Sequence, residues 1–328
     1  YLKMLKEIHK FYKLCNSINL KNDLSYLTLN SFLDQNNFSD YVRRFHINPM
    51  ISSIWSSNLS DIENFPLVSF INFFKNHGLF NLKQRPKWKY VVGGSKKYID
   101  ALINLELFKY STNFAIKFID RKQKNIEIVD FSNKKYFFDK LVFATHADQV
   151  LSLLKEPSNK EIEILSKFKY TKNTAYLHSD YRLMPKKKIA WSSWNYIQNL
   201  NNKDVFTLTY WMNNLQKLQT TNNYFVTINP PYEPHNVLDK TVFEHPIFSS
   251  QTLVAQKRFL EIQGYKNSFF CGSYLGYGFH EDGIQSAAHV ADILKVKLLL
   301  PVFHHKKIIP KKRKPGKISG GVVKVYLL

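Results

Sequence analysis

From Phe269 to Ala288 the chain reads Phe-Phe-Cys-Gly-Ser-Tyr-Leu-Gly-Tyr-Gly-Phe-His-Glu-Asp-Gly-Ile-Gln-Ser-Ala-Ala. That is an apolar strand, a glycine-punctuated loop and a helix rich in small residues. Gly272, Gly276, Gly278 and Gly283 fall within twelve residues. Glycines there let main chain approach a flat ligand closely or take positive φ. The helix that follows aims its unpaired N–H groups and the positive end of its dipole at the loop. Electron-rich oxygens, or a ring that becomes anionic, suit such a place. A tight strand-to-helix turn with no ligand would use the same residues.

The rest of the chain excludes several other chemistries. There is no G-x-S-x-G, no Cys/His pair of recognisable spacing and no H-E-x-x-H. His280-Glu281-Asp282 is no metal triplet, since consecutive loop residues rarely converge on one ion, so no metal is expected. Cys15 and Cys271 lack C-x-x-C or zinc spacing and read as free core thiols of a reducing compartment. No run reaches the ~18 apolar residues of a membrane span. With no visible signal peptide, the chain reads as cytoplasmic.

A net charge of +22 raises a nucleic-acid reading. Most of the excess is Lys scattered among Asn, Ile, Phe and Tyr, the bias of an AT-rich coding sequence. The concentrated part is the tail, with seven Lys/Arg between Lys306 and Lys317 and Pro310, Pro315 and Gly316 among them. Three readings stand: a solvated appendage, a peripheral contact with an anionic membrane surface on the inner side, or nucleic acid.

The 269–288 segment resembles the C-terminal flavin-contacting motif of the flavin-containing amine oxidoreductase superfamily, which includes phytoene-desaturase-like enzymes. Within it the likeness is to a bacterial family described as predicted NAD/FAD-binding proteins. It extends to Asn48-Pro49-Met50 with Ile54-Trp55-Ser56, Phe73-Phe74-Lys75-Asn76-His77-Gly78, Arg85-Pro86-Lys87-Trp88 and Gly93-Gly94-Ser95. Further on it includes Ala144-Thr145-His146-Ala147-Asp148-Gln149, Trp194-Asn195-Tyr196, Thr209-Tyr210-Trp211-Met212-Asn213 and His245-Pro246-Ile247-Phe248.

The resemblance implies an α/β, FAD/NAD(P)-binding, amine-oxidase-like fold with a mixed helical and antiparallel-sheet substrate domain. One departure stands out. Superfamily members open with a strand, a G-x-G-x-x-G turn and a helix that holds the FAD pyrophosphate. Here the first glycine is Gly78 and residue 1 is Tyr. The expectation is therefore a fragment lacking its first βαβ unit, holding FAD weakly by itself.

Residues 1–84 correspond to the helical part of the substrate domain, and 85–150 to the return to the FAD domain. Residues 151–265 correspond to the substrate-domain sheet, 266–295 to the closing strand-loop-helix and 296–328 to the basic tail. Patterns predict a helix near Lys97–Leu105 and strands at Phe114–Ile119, Ile126–Val129, Lys140–Ala144, Ile189–Ile197, Val205–Trp211 and Tyr224–Ile228.

By the same resemblance FAD meets Gly272, Ser273, Gly276, Gly278, Glu281, Asp282 and Gly283. Ala144 and Thr145 lie along the flavin, and main-chain atoms of Ile116 meet the adenine. Asp282 also suits a helix cap. Glu281 and His280 read equally as loop polars, and Ile116 equally as core. Trp191, Trp194, Tyr196, Tyr210 and Trp211 either line an apolar substrate pocket or form core.

The implied activity is FAD-dependent oxidation or desaturation of an apolar, lipid-like or amine-bearing small molecule by hydride transfer, with the catalytic residues unassigned. Two alternatives remain: a flavin-fold protein that binds a lipid or partner without turnover, and a basic nucleic-acid-binding protein.

Overall fold

A computed structural model of the protein describes residues 2–20, 26–81, 89–198 and 205–296. The Arg85–Trp88 run and the basic tail lie outside these residues. Among the described residues twelve α-helices run in chain order. The first seven are Leu2–Ser17 (α1), Leu29–Gln35 (α2), Asp40–Val42 (α3), Asn48–Trp55 (α4), Leu59–Ile62 (α5), Leu67–Asn76 (α6) and Lys96–Ile103 (α7). The others are Ala147–Leu153 (α8), Asn159–Leu165 (α9), Met212–Leu215 (α10), Ser250–Arg258 (α11) and His280–Ile293 (α12). The strands are Ile116–Arg121 (β1), Ile126–Asp130 (β2), Lys135–Phe138 (β3), Leu141–Phe143 (β4) and Lys169–His178 (β5). Then come Trp194–Gln198 (β6), Phe206–Trp211 (β7), Phe225–Ile228 (β8), Val237–Ile247 (β9) and Ser268–Phe270 (β10).

The chain divides into two compact units, one of residues 1–97 with 169–254 and one of 98–168 with 255–328. Packing sets these boundaries. Leu154 forms a bridge to Ile119 of β1, and Glu161 on α9 grips Arg121, so residues 151–168 stay with β1. Gln256 and Gln263 brace the closing strand and its loop, which draws residues 255–265 the same way.

The first unit joins helices to a five-stranded antiparallel sheet of order β6-β7-β8-β5-β9. Local chemistry starts its helices. Thr28 Oγ1 accepts from the Ser31 N–H at 3.1 Å and caps α2. Pro49 sits at the start of α4, where its missing N–H costs nothing, and Ser56 ends that helix at φ 51°. Phe70, Ile71, Phe73 and Phe74 of α6 are buried. Phe70 and Phe74 stack at 4.0 Å, and Phe11 and Phe80 pack against them. Each such buried ring contributes about 1.5–3 kcal/mol.

On the sheet, Ala175, Phe206, Leu208 and Ile228 form one apolar cluster with Tyr196, Tyr210 and Val226 against it. Asn173 shares that face with Ala175, since alternate strand residues point the same way. Its Nδ2 donates to Ser56 O at 3.1 Å, which fixes the end of α4 over this side. The opposite face is polar but buried: Thr207, Thr209, Thr227 and His178 are all fully buried.

In the second unit β1, β2 and β3 form an antiparallel sheet, and β4 pairs in parallel with β10. Strands β4 and β10 are buried along their whole lengths, as strands covered on both faces must be. Val142, Phe269, Cys271 and Val290 form their core, with Ala144 and Leu294 packed against it. Predicted strand Ile189–Ile197 is only partly a strand. Lys188–Ala190 make a 3-10 turn and the strand begins at Trp194. Among the described residues no helix is long and apolar enough to cross a membrane.

Candidate functional site

Strand β10 delivers the glycine loop to the start of α12. The parallel ladder continues one residue past the strand, with the Cys271 N–H donating to Phe143 O at 2.9 Å. On its other edge the Gln263 side-chain amide substitutes for a strand. It donates to Phe270 O at 2.7 Å and accepts from the Phe270 N–H at 2.9 Å. The chain then turns over a 3-10 segment, Ser273–Leu275, and enters α12 with Gly283 in its first turn.

The four glycines do different jobs. A Cβ on Gly272 would lie 2.7 Å from Cδ1 of Tyr274, a buried ring held edge-on by Phe168. A Cβ on Gly276 would lie 2.6 Å from Cβ of Asp282. Gly278 has φ 93°, a region in which side chains are strained. Those three are accounted for by the protein's own packing. Gly283 is not. A Cβ there meets only the Ser273 main-chain nitrogen, at an ordinary 3.8 Å, and its backbone is not in the positive-φ region. The first turn of α12 is thus open where a side chain would fit.

Three side chains hold the loop in shape. Gln256 Nε2 donates to Tyr274 O and to Gly276 O, both at 2.8 Å. Ser286 Oγ accepts from the Gly272 N–H at 2.9 Å and donates to Gly283 O at 2.7 Å. Asp282 accepts from the Phe279 N–H at 3.0 Å, capping the helix. Gly276→Ala should therefore cost about 1–3 kcal/mol through forced repacking around Asp282. Chemical denaturation checks it, and an unchanged midpoint would contradict the packing account.

Of the residues matched to the cofactor, the structure gathers Gly272, Ser273, Gly276, Gly278, Asp282 and Gly283 around one loop. Glu281 is exposed and accepts from Gln285 at 2.7 Å. Ala144 and Thr145 follow the end of β4, beside β10. Thr145 Oγ1 is buried without a hydrogen-bond partner, which ordinarily costs about 1–3 kcal/mol. Ile116 stands at the head of β1, in the other sheet of this unit. Burial pushes the Cys271 thiol up to about 11, and burial, then Asp282, pushes the Tyr277 phenol up to about 12, so both stay protonated at neutral pH. Among the described residues no cluster of His, Cys, Asp and Glu could hold a metal.

The five aromatic candidates belong to the first unit and do not share one surface. Trp194 and Tyr210 face each other across β6 and β7, edge-on at 5.4 Å, on the side that carries Tyr196. Trp211 points to the opposite face with Phe225, and Trp191 packs against both, at 5.3 and 5.7 Å. Strand alternation thus divides Trp194, Tyr196 and Tyr210 from Trp211 between the two faces of the sheet.

No protein-family model matches the chain, and no curated protein matches it in sequence. Solved structures do match in fold. A CLA-producing fatty acid isomerase from P. acnes is 13% identical, with a TM-score of 0.62 over 89% of this chain and 74% of its own. A redesigned putrescine oxidase is 10% identical, with a TM-score of 0.62 over 90% and 76%. A reduced UDP-galactopyranose mutase is 12% identical, with a TM-score of 0.55 over 90% and 73%. At these identities the likeness is one of fold, and the chain has an amine-oxidase-like fold.

Proposed function

We propose that this protein is an FAD-dependent oxidoreductase that takes a hydride from an apolar, lipid-like or amine-bearing small molecule. The observation that carries the reading is Gly283, which no neighbouring atom requires to be glycine and which opens the first turn of a helix. The residues present fit a flavin. Gly283 offers main chain without a covering side chain, the α12 N-terminus favours negative charge, and the buried Thr145 hydroxyl lacks a partner. Bound there, FAD would supply hydride acceptance. The chain's own share is to hold the ring, favour its reduced form through the helix dipole and keep water away. The substrate class rests on the neighbours in fold, a fatty acid isomerase and a putrescine oxidase.

The test is a titration of FAD by fluorescence quenching. Gly283→Ala should raise fold stability by up to about 1 kcal/mol, because alanine is the better helix former. Gly283→Val should weaken FAD at least about tenfold, a loss of about 1.4 kcal/mol. Equal FAD affinity in the parent and in Gly283→Val would sink the assignment. Anaerobic bleaching of bound flavin by a candidate lipid or amine separates turnover from binding alone.

A further inference from the structure

We infer that the outer edge of β9 is a self-pairing surface, along which two copies of this chain join antiparallel into one continuous sheet. Among the described residues β9 ends the five-stranded sheet, with β5 on one side and no strand on the other. It is 11 residues long, far from the very short edges by which many proteins avoid pairing, and its blunting is limited to Lys240 and Pro246. Leu238, Val242 and Phe243 are 60%, 55% and 51% exposed on it.

The strand's own sequence, Val237-Leu-Asp-Lys-Thr-Val-Phe-Glu-His-Pro-Ile247, selects the partner. A strand residue directs its N–H and C=O to the same side, alternating along the chain. Two identical edges can therefore pair only with a residue, not a gap, on the two-fold axis. Placing Val242 on the axis pairs the strand over its whole length, Val237 with Ile247. It sets Lys240 opposite Glu244, Asp239 opposite His245, Leu238 opposite Pro246 and Thr241 opposite Phe243. Each of these pairs occurs twice by symmetry. Shifting the axis to Thr241 sets Lys240 against Val242 and Asp239 against Phe243. Shifting it to Phe243 sets Val242 against Glu244, and shifting it to Lys240 opposes two ammonium groups. Of these registers only the Val242 one sets Lys240 opposite Glu244 and places no charged residue opposite an apolar or a like-charged one. Pro246, which cannot donate, falls near the ends of the paired stretch, where a missing bond matters least.

Both side chains already serve the monomer: Lys240 lies over the Tyr176 ring at 4.9 Å and Glu244 pairs with Lys172 at 3.8 Å, so the pairing across the axis adds to these contacts. The Lys240 N–H, which donates to Asp239 Oδ1 at 2.8 Å, exchanges that acceptor for a carbonyl of the partner strand. Sedimentation equilibrium of the full chain should show a dimer. Val242→Lys, which puts two like charges on the axis, should raise the dimer dissociation constant at least about tenfold. Lys240→Glu should weaken the dimer, and combining it with Glu244→Lys should restore it. Circular dichroism of each variant distinguishes lost pairing from lost fold. A parent chain that stays monomeric to its solubility limit overturns the inference. So does a dimer indifferent to Val242→Lys, or one that the charge exchange fails to rescue.

Discussion

Arg121→Met should destabilise the protein by about 3–5 kcal/mol, because it strands a buried carboxylate. The Arg121 and Glu161 side chains are 2% and 0% exposed. The guanidinium donates to both Glu161 oxygens, at 2.5 and 2.8 Å, and to Glu156 O at 3.1 Å. It also lies 5.6 Å from the Tyr265 ring centre. Glu161 in turn accepts from the Ser158 N–H and hydroxyl, both at 2.8 Å, and so closes the capping box of α9. Burial is the largest influence on this carboxyl and pushes it up, but Arg121 and Ser158 together bring it below its ordinary value.

Removing Arg121 leaves burial opposed by Ser158 alone, so in the variant the carboxyl rises. A group whose folded value exceeds its unfolded one is best tolerated below the unfolded value, so the variant's deficit should shrink as pH falls toward 4. Adding Glu161→Gln to Arg121→Met should recover part of the loss, since the remaining partner is then neutral. Urea denaturation of the single and double variants measures all three. A single-variant loss under about 1 kcal/mol, the size of an exposed ion pair, would show that the pair is solvated.

What was legible in the sequence was local. The strand, glycine loop and helix at 268–293 needed only neighbours in the chain, and the structure brings six of the seven loop positions matched to the cofactor around one turn. The distinct jobs of those glycines were not legible, because Tyr274 and Asp282 constrain Gly272 and Gly276 only once the loop has folded back. Gln256 was missed altogether. It lies on α11, and nothing in its surroundings marks an amide that spans two carbonyls of a later loop. Ser286, three residues after Gly283, was within reach of helical spacing.

Strands β5 and β9 were illegible for another reason. Asn173 is buried in β5, which reads as polar. Its cost is met by Asn229, whose Nδ2 donates to it at 2.7 Å, and by contacts with His245 and Ser56 O. Such partners, far apart in sequence, leave no periodic signal. For the aromatic residues near β6 the sequence left pocket and core open, because nearness along the chain does not say which face each residue takes. The Lys188–Ala190 turn sends Trp191 to one face, and the strand sends Trp194 to the other.

Acid should remove about 3 kcal/mol of stability through His178 alone. The ring is fully buried on the polar face of the five-stranded sheet, 5.7 Å from Phe225. The Asp180 N–H donates to Nδ1 at 3.0 Å, so Nε2 carries the ring proton and donates to Thr227 Oγ1 at 2.7 Å. Thr227 then donates to Thr209 Oγ1, 2.9 Å away, and the direction of the whole chain follows from one backbone N–H. A second proton on the ring would have to displace that N–H. Burial accordingly lowers the imidazole to about 4, against a smaller upward pull from Asp180.

Between about 4 and the ordinary value of about 6.5 the unfolded chain binds a proton that the folded chain refuses. The contribution is complete above about 6.5 and is lost as pH falls through about 4. A difference of about 2.5 units corresponds to about 3 kcal/mol. His178→Gln cannot titrate, so its unfolding free energy should fall less steeply over that interval, whatever its stability at neutral pH. Urea denaturation in steps from pH 7.5 to 4.5 measures both slopes. Parallel slopes would mean that His178 is protonated in the folded protein and that the Asp180–His178–Thr227–Thr209 chain runs the other way.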